Sequence, residues 1–331
     1  MLQRSVGLNL LTVITGFSRE NNGTMLMATA ATYVDNSTEP KRRPTRLRLP
    51  SGFGLASLPF GFLVCFFLIP VALLFVTSFF AARSFVIEPV WNIENYARIL
   101  SAAGFWQATW VGLKNGFFTA AFSVILSFPV AYYLVYRTKS NVILYLVLLS
   151  WFSSYLVRVY AWRTILGTNG VINSFLMGSG VINEPLEVIL FSPFASVLTL
   201  IHIMLPFSLL ILVSSLRDVK QDYLDAARDL GATGIGVLIK VILPMTYKGI
   251  VGSFMFTFIL AAGDYITPQL LGGREGVTSG LLIANQFRSA GNWPLGSAMA
   301  FVLLATFVVV YIVFTLTLKA LKLAPGRRYH G

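Results

Sequence analysis

From Arg217 to Pro244 the chain reads RDVKQDYLDAARDLGATGIGVLIKVILP. Four acids in it, Asp218, Asp222, Asp225 and Asp229, recur at successive steps of four, three and four residues, which places them on one face of a helix. Tyr223, Leu224, Ala227 and Leu230 line the other face, and Gly231 follows as a helix-ending glycine. A second short helix then leads to Pro244. A helix pair with one charged and one apolar side suits docking into a groove on a partner. On both sides of this polar island the chain is too apolar for water: Val188 to Leu216 precedes it and Val241 to Gly263 follows.

Working outward, the same apolar character covers most of the 331 residues. Hydrophobic residues make up 56% and charged residues 11%, against roughly a quarter charged in a soluble domain, so lipid is the main solvent. Six segments are long enough to cross a bilayer as helices: Pro59–Ala81, Asn115–Tyr136, Asn141–Trp162, a stretch within Val188–Leu216, Val241–Gly263 and Gly296–Leu318. Pro70, Pro129 and Pro206 fall inside spans as expected kinks, whereas Pro244 sits near a helix start, where proline is tolerated. The fold class is an all-α membrane protein of six transmembrane helices. Residues 1–57 form a basic tail expected to be disordered, with Lys41, Arg42, Arg43, Arg46 and Arg48. Residues 58–82 are the first transmembrane helix, 112–321 a five-helix core containing the loop 217–244, and 322–331 a basic C-terminal tail. Val6–Phe17 imitates a signal peptide but is followed by no close small-residue cleavage site, and translation could start at Met1, Met25 or Met27.

The net charge of +12 would suggest nucleic acid in a soluble chain. Here Lys and Arg fall mainly in short segments between spans, which points to topology instead and away from a nucleic-acid partner. The richer group holds the N-terminal run, Arg137 and Lys139, Arg217 to Lys240, and Lys319 to Arg328; by the positive-inside rule it is cytoplasmic, as are both termini. The outer loops are then Ala82–Lys114, Thr164–Glu187 and Asp264–Leu295, with Trp91, Trp106, Trp110 and Trp293 as an outer aromatic belt.

The loop resembles the EAA motif of permease subunits from binding-protein-dependent ABC importers: E-A-A, three residues, G, nine residues, I, one residue, L-P. Asp225-Ala226-Ala227, Gly231, Val241 and Leu243-Pro244 stand at those spacings, with Asp for Glu and Val for Ile. Leu238 stands where the family often has an aromatic residue. Val157–Trp162, Gly170–Asn173, Leu205-Pro206-Phe207, Leu270–Gly273 and Asn292–Ala298 resemble signatures of the spermidine/putrescine group, which has the MetI-like transmembrane fold. The resemblance covers about Asn115 to Leu321. It implies a multi-pass permease of the bacterial inner membrane that imports a small solute, either a polyamine or another solute of the same importer class. It implies ABC ATPase subunits that use ATP and Mg, a second permease subunit in a heterodimer, and a periplasmic solute-binding protein, with lipid around the whole. Coupling to the ATPase falls to Asp225, Ala226, Ala227, Gly231, Leu238, Leu243 and Pro244. Asp225 would cap a helix and make polar contacts, Gly231 would make the bend, and Leu243-Pro244 would fix re-entry into the membrane.

No G-x-x-x-x-G-K-[ST] phosphate loop is present, so ATP must be hydrolysed elsewhere and the chain needs no cofactor of its own. One cysteine, Cys65, and two distant histidines, His202 and His330, make no metal site. His202 reads as a helix-to-helix hydrogen-bonding residue in preference to a proton relay. A membrane enzyme would need clustered acids or histidines, and an ion-coupled carrier usually has charges at mid-membrane; no acid lies deep in a span. Arg158, Asp264 and Tyr132 are the candidates for the translocation pathway. Arg158 either snorkels to the interface or acts in transport, and Asp264 either pairs with an arginine or touches solute.

Overall fold

The computed structural model describes residues 53–83, 86–186 and 189–320. The C-terminal tail, and the expected N-terminal tail as far as residue 52, lie outside the described residues.

The first span is built from α1 (Phe53–Leu63), a π-helical turn (Val64–Leu68) and α2 (Ile69–Thr77). Pro70 sits in the first turn of α2, directly after the π turn. A wider turn there relieves the clash between the proline ring and the carbonyl four residues back. The helix stops at Thr77, short of the expected Ala81, because side chains take over its end. The Ser78 hydroxyl lies 2.7 Å from that of Tyr96, and Asn95 Nδ2 donates to the carbonyls of Ser78 and Phe80 at 3.0 and 2.9 Å. A short antiparallel hairpin follows, β1 (Ala81–Arg83) and β2 (Val86–Glu88), in register Ala81 to Glu88.

The expected outer loop Ala82–Lys114 is largely helical. It holds α3 (Glu94–Ser101) and the first turns of α4 (Ala103–Tyr136), a helix of 34 residues. At about 1.5 Å per residue α4 is ~51 Å long and overruns a ~30 Å hydrocarbon core. Polar side chains such as Gln107 and Lys114 hide those extra turns from a hydropathy reading.

The third span is broken, where the sequence predicts one helix. α5 (Val142–Trp151) ends before α6 (Tyr155–Leu166), and the segment Tyr155–Gly178 is bent by 92° from α5. The hinge is serine-rich: Ser150 and Ser153 donate to the carbonyls of Val147 and Ser150 at 2.6 and 2.8 Å, and Ser154 is extended at φ −57°, ψ 143°. Hydroxyls that satisfy their own turn's carbonyls make it cheap to end a helix in an apolar setting. The described residues hold five helices long and apolar enough to span, six with this broken pair.

α7 (Val171–Gly178) leads to α8 (Pro193–Arg217), whose first turn is capped by Ser192 accepting from the Ala195 N–H at 3.2 Å. The polar island folds as α9 (Gln221–Asp229), α10 (Gly234–Val237) and a π-helical turn (Leu238–Ile242). α11 (Leu243–Ala262) returns through the membrane, and α12 (Ile266–Leu271), α13 (Ser279–Arg288) and α14 (Trp293–Ala320) complete the chain.

α4, α8 and α11 form the centre, and small residues bring them close. Gly112, Gly116 and Ala120 recur every four residues on the face of α4 that meets α11; a Cβ on Gly116 would lie 2.7 Å from Ala262 Cβ. The Ser208 and Ser253 hydroxyls join α8 to α11 at 2.9 Å, and Ser127 donates from α4 to the Leu205 carbonyl beside Pro206 at 3.3 Å. Without water to compete, such bonds between helices contribute about 0.6 kcal/mol each. The outward faces carry large exposed apolar side chains, including most of the first span, as lipid contact demands.

Candidate functional site

The loop between α8 and α11 is anchored from within. Val219, Leu224, Val237 and Ile242 are buried against Leu134, Leu212 and Leu216. Leu224 is 1% exposed, so the apolar face expected to point at a partner is divided. Leu224 and the half-buried Ala227 turn inward, while Tyr223 and Leu230 turn out. Leu230 is 90% and Ile235 71% exposed, a pair of bare apolar side chains on either side of the Gly231 bend. Tyr223 and Ile239 are exposed as well, at 50% and 56%.

The bend is a Schellman motif. Gly231 has φ +83°, its N–H donates to Arg228 O at 2.8 Å, and the Ala232 N–H reaches Ala227 O at 3.0 Å. A Cβ on Gly231 would meet nothing within 4 Å, so the demand is on the backbone alone. Thr233 then caps α10, its Oγ1 accepting from the Gly236 N–H at 3.2 Å.

Asp225 does not cap a helix, contrary to the role expected of it. It lies in the middle of α9, exposed, accepting from Arg228 at 2.8 Å and Gln221 at 3.1 Å. The acid in the first turn of α9 is Asp222, and Asp218 ends α8 instead of joining the acidic face. Ala226 is exposed, Leu238 is partly buried in the loop's own core, and Leu243 and Pro244 open α11. The apolar side chains that the bend presents are therefore Leu230 and Ile235, more than Leu238.

Tyr132 belongs to this end of the molecule. Its ring lies 5.2 Å from that of Tyr136, tilted by 55°, and it shares with Leu224, Arg228 and Val237 a cavity of about 240 Å³ beneath the loop. Tyr136 ties α4 to the end of α8 by donating to the Leu216 carbonyl at 2.9 Å.

Arg158 and Asp264 lie at the opposite end, since α11 runs from the loop to Ala262. Asp264 has no arginine partner among the described residues. Its Oδ1 accepts from the Tyr155 hydroxyl at 2.7 Å and its Oδ2 from the Thr267 N–H at 2.9 Å, while the Thr267 hydroxyl meets Tyr155 at 2.8 Å. The carboxylate thus fixes α6 against the start of α12. Arg158, one turn beyond Tyr155, does not snorkel: it is 7% exposed, and its Nε and Nη1 find no hydrogen-bond partner among the described residues. It lies in the first turn of α6, directly after the break. His202 accepts from Trp162 Nε1 at 3.0 Å, the helix-to-helix role expected of it. The three pathway candidates therefore fall into two groups, and Tyr155 and Thr267, which organise the outer group, escaped the sequence reading.

No family model matches the chain. It is 31% identical over 258 residues to the spermidine/putrescine transport system permease protein PotB of Salmonella typhimurium, covering 77% of this chain and 89% of that one. The PotB of Escherichia coli is 30% identical, with 77% and 93% covered. The chain belongs to this family of ABC-importer permeases. The trehalose/maltose transport system permease protein MalF of Thermococcus litoralis is 28% identical, with 75% of this chain and 87% of that one covered. A solved bacterial ABC transporter for the acidic polysaccharide alginate shares the fold, at a TM-score of 0.62 and 14% identity, with 81% of this chain and 94% of that one covered. A second alginate transporter structure, in complex with its pentasaccharide-bound periplasmic protein, gives 0.63 at 13% identity. The permease is thus a multi-pass inner-membrane transport subunit of an importer, not an enzyme.

Proposed function

We propose that this permease moves a polyamine-type solute inward, driven by ATPase subunits that grip the 217–244 loop from the cytoplasm. The observation that carries the coupling role is the exposed apolar surface about the Gly231 bend: Leu230 at 90% and Ile235 at 71%, with Tyr223 and Ile239 also exposed, on a loop anchored by buried Leu224 and Val237. A rigid handle needs an anchored base and an uncovered tip, and Leu224 and Gly231 supply these. The ATPases bind ATP and Mg; this chain supplies the lever. Their closure moves α9 and α10 relative to the membrane and, through the core shared with α4 and α8, switches the solute path between two states.

A second, different permease subunit completes the path, and a periplasmic binding protein delivers solute to the end carrying α12 and α13. Both termini lie in the cytoplasm. The polyamine assignment is supported by the PotB relatives. At the outer end of α11 Asp264 is engaged at both oxygens, and Arg158 lies one turn from its partner Tyr155. Selectivity then rests with the binding protein.

In proteoliposomes containing the whole transporter, labelled putrescine or spermidine should accumulate only with ATP and the ATPase. Leu230→Asp, at a position too exposed to matter for folding, should release the ATPase on co-purification and stop uptake. Uptake by the permease alone, driven by an ion gradient, would establish a secondary carrier instead.

A further inference from the structure

Between α4 and α8, on the outward face, runs an apolar groove of about 630 Å³. Its α4 wall is Phe118, Phe122 and Leu126, at every fourth residue below Lys114, and its α8 wall includes Phe194 and Val197. We propose that this groove seats one acyl chain of an anionic phospholipid whose phosphate is held by Lys114 and Asn115.

Three observations point there. First, the groove has the length of one leaflet. From Lys114 to Leu126 is ~18 Å of helix, close to the ~15 Å half-thickness of a hydrocarbon core. Second, its polar head lies at one end only. Lys114 is exposed, makes no ion pair among the described residues, and has Trp110, 61% exposed, one turn above it. Lysine with an interfacial tryptophan marks the level of lipid headgroups. Third, Asn115 also lines the groove, is 4% exposed, and its Nδ2 has no hydrogen-bond partner among the described residues. A buried amide N–H₂ left without an acceptor is destabilising. A phosphate or glycerol-ester oxygen beside Lys114 would supply that acceptor, and a neutral apolar helix would not. The head lies in the leaflet away from the 217–244 loop, because α4 reaches that loop at Tyr136. The inference rests on the membrane reading of the chain and not on the solute, so its test and that of the importer are separable.

The test is native mass spectrometry of the assembled transporter titrated with phosphatidylglycerol or with phosphatidylcholine of the same acyl chains. The wild type should hold one phosphatidylglycerol about fivefold more tightly, the equivalent of roughly 1 kcal/mol for one lysine at a membrane surface. Lys114→Gln should remove the preference and Lys114→Arg should keep it. Val197→Trp, which fills the groove, should weaken retention of both lipids. Equal retention of the two lipids by the wild type, or an unchanged preference in Lys114→Gln, would overturn the proposal. So would a photo-cross-link from Phe122→benzoylphenylalanine that captures the second permease subunit in place of lipid.

Discussion

Gly231→Val should lower solute uptake at least tenfold while leaving membrane insertion unchanged. Gly231 sits at φ +83°, where a β-branched residue is strained by about 1–3 kcal/mol. Relief of that strain requires unwinding the Schellman turn, which moves Leu230 and Ile235 apart. A shift of ~1.4 kcal/mol in the docked population already amounts to a factor of ten. Insertion is spared because nothing surrounds the site to be displaced and Leu224 still anchors α9. Gly231→Asn separates conformation from chemistry. Asparagine tolerates the left-handed region, so it should retain much of the uptake. Transport by vesicles and the yield of inserted chain are the two measurements, and full uptake by the valine variant would remove the coupling role from this bend.

Gly116→Leu should do the reverse, damaging the fold before the function. The new Cβ would stand 2.7 Å from Ala262 Cβ and 3.0 Å from both Ala262 N and the Phe258 carbonyl. Two of these neighbours are backbone and cannot rotate away, so α4 and α11 must separate. Overpacking of this kind costs about 1–3 kcal/mol, and it removes the contact on which the close approach depends. Thermal unfolding in detergent should fall by several degrees, with a smaller fall for Gly116→Ala. Gly104→Leu on the same helix, where a Cβ meets nothing within 4 Å, should leave the midpoint in place. An unshifted midpoint in Gly116→Leu would show that α4 and α11 do not pack through this seam.

The spans were legible because a bilayer imposes length and apolarity on every helix that crosses it, and Pro193–Arg217 and Trp293–Ala320 fall where hydropathy places them. The helical form of the 217–244 loop was legible for a different reason: polar spacing in an apolar chain leaves few other readings, and Gly231 ends a helix and Pro244 begins one as expected. Hydropathy is blind to direction, however. The break after Trp151, Phe152-Ser153-Ser154, reads as ordinary span sequence, yet the chain bends by 92° there and Arg158, just beyond it, is buried. Side-chain facing was equally hidden. Leu224 and Leu230 look alike on a helical projection, and only the packing of α4 and α8 decides that one is buried and the other bare. The Gly112, Gly116, Ala120 spacing was present to be read and marks the α4–α11 contact, as small residues four apart do between membrane helices. Tyr155 as the partner of Asp264 had no such signal, because the two are brought together by the break and by the turn after α11.

The most direct measurement is maleimide labelling of Leu230→Cys in a Cys65→Ala background, using a reagent that cannot cross the membrane. The cysteine should react in inverted vesicles from cells lacking the ATPase, become protected when the ATPase is co-expressed, and stay unlabelled in intact spheroplasts. Labelling from the outside, or labelling in inverted vesicles that the ATPase does not reduce, would contradict the account.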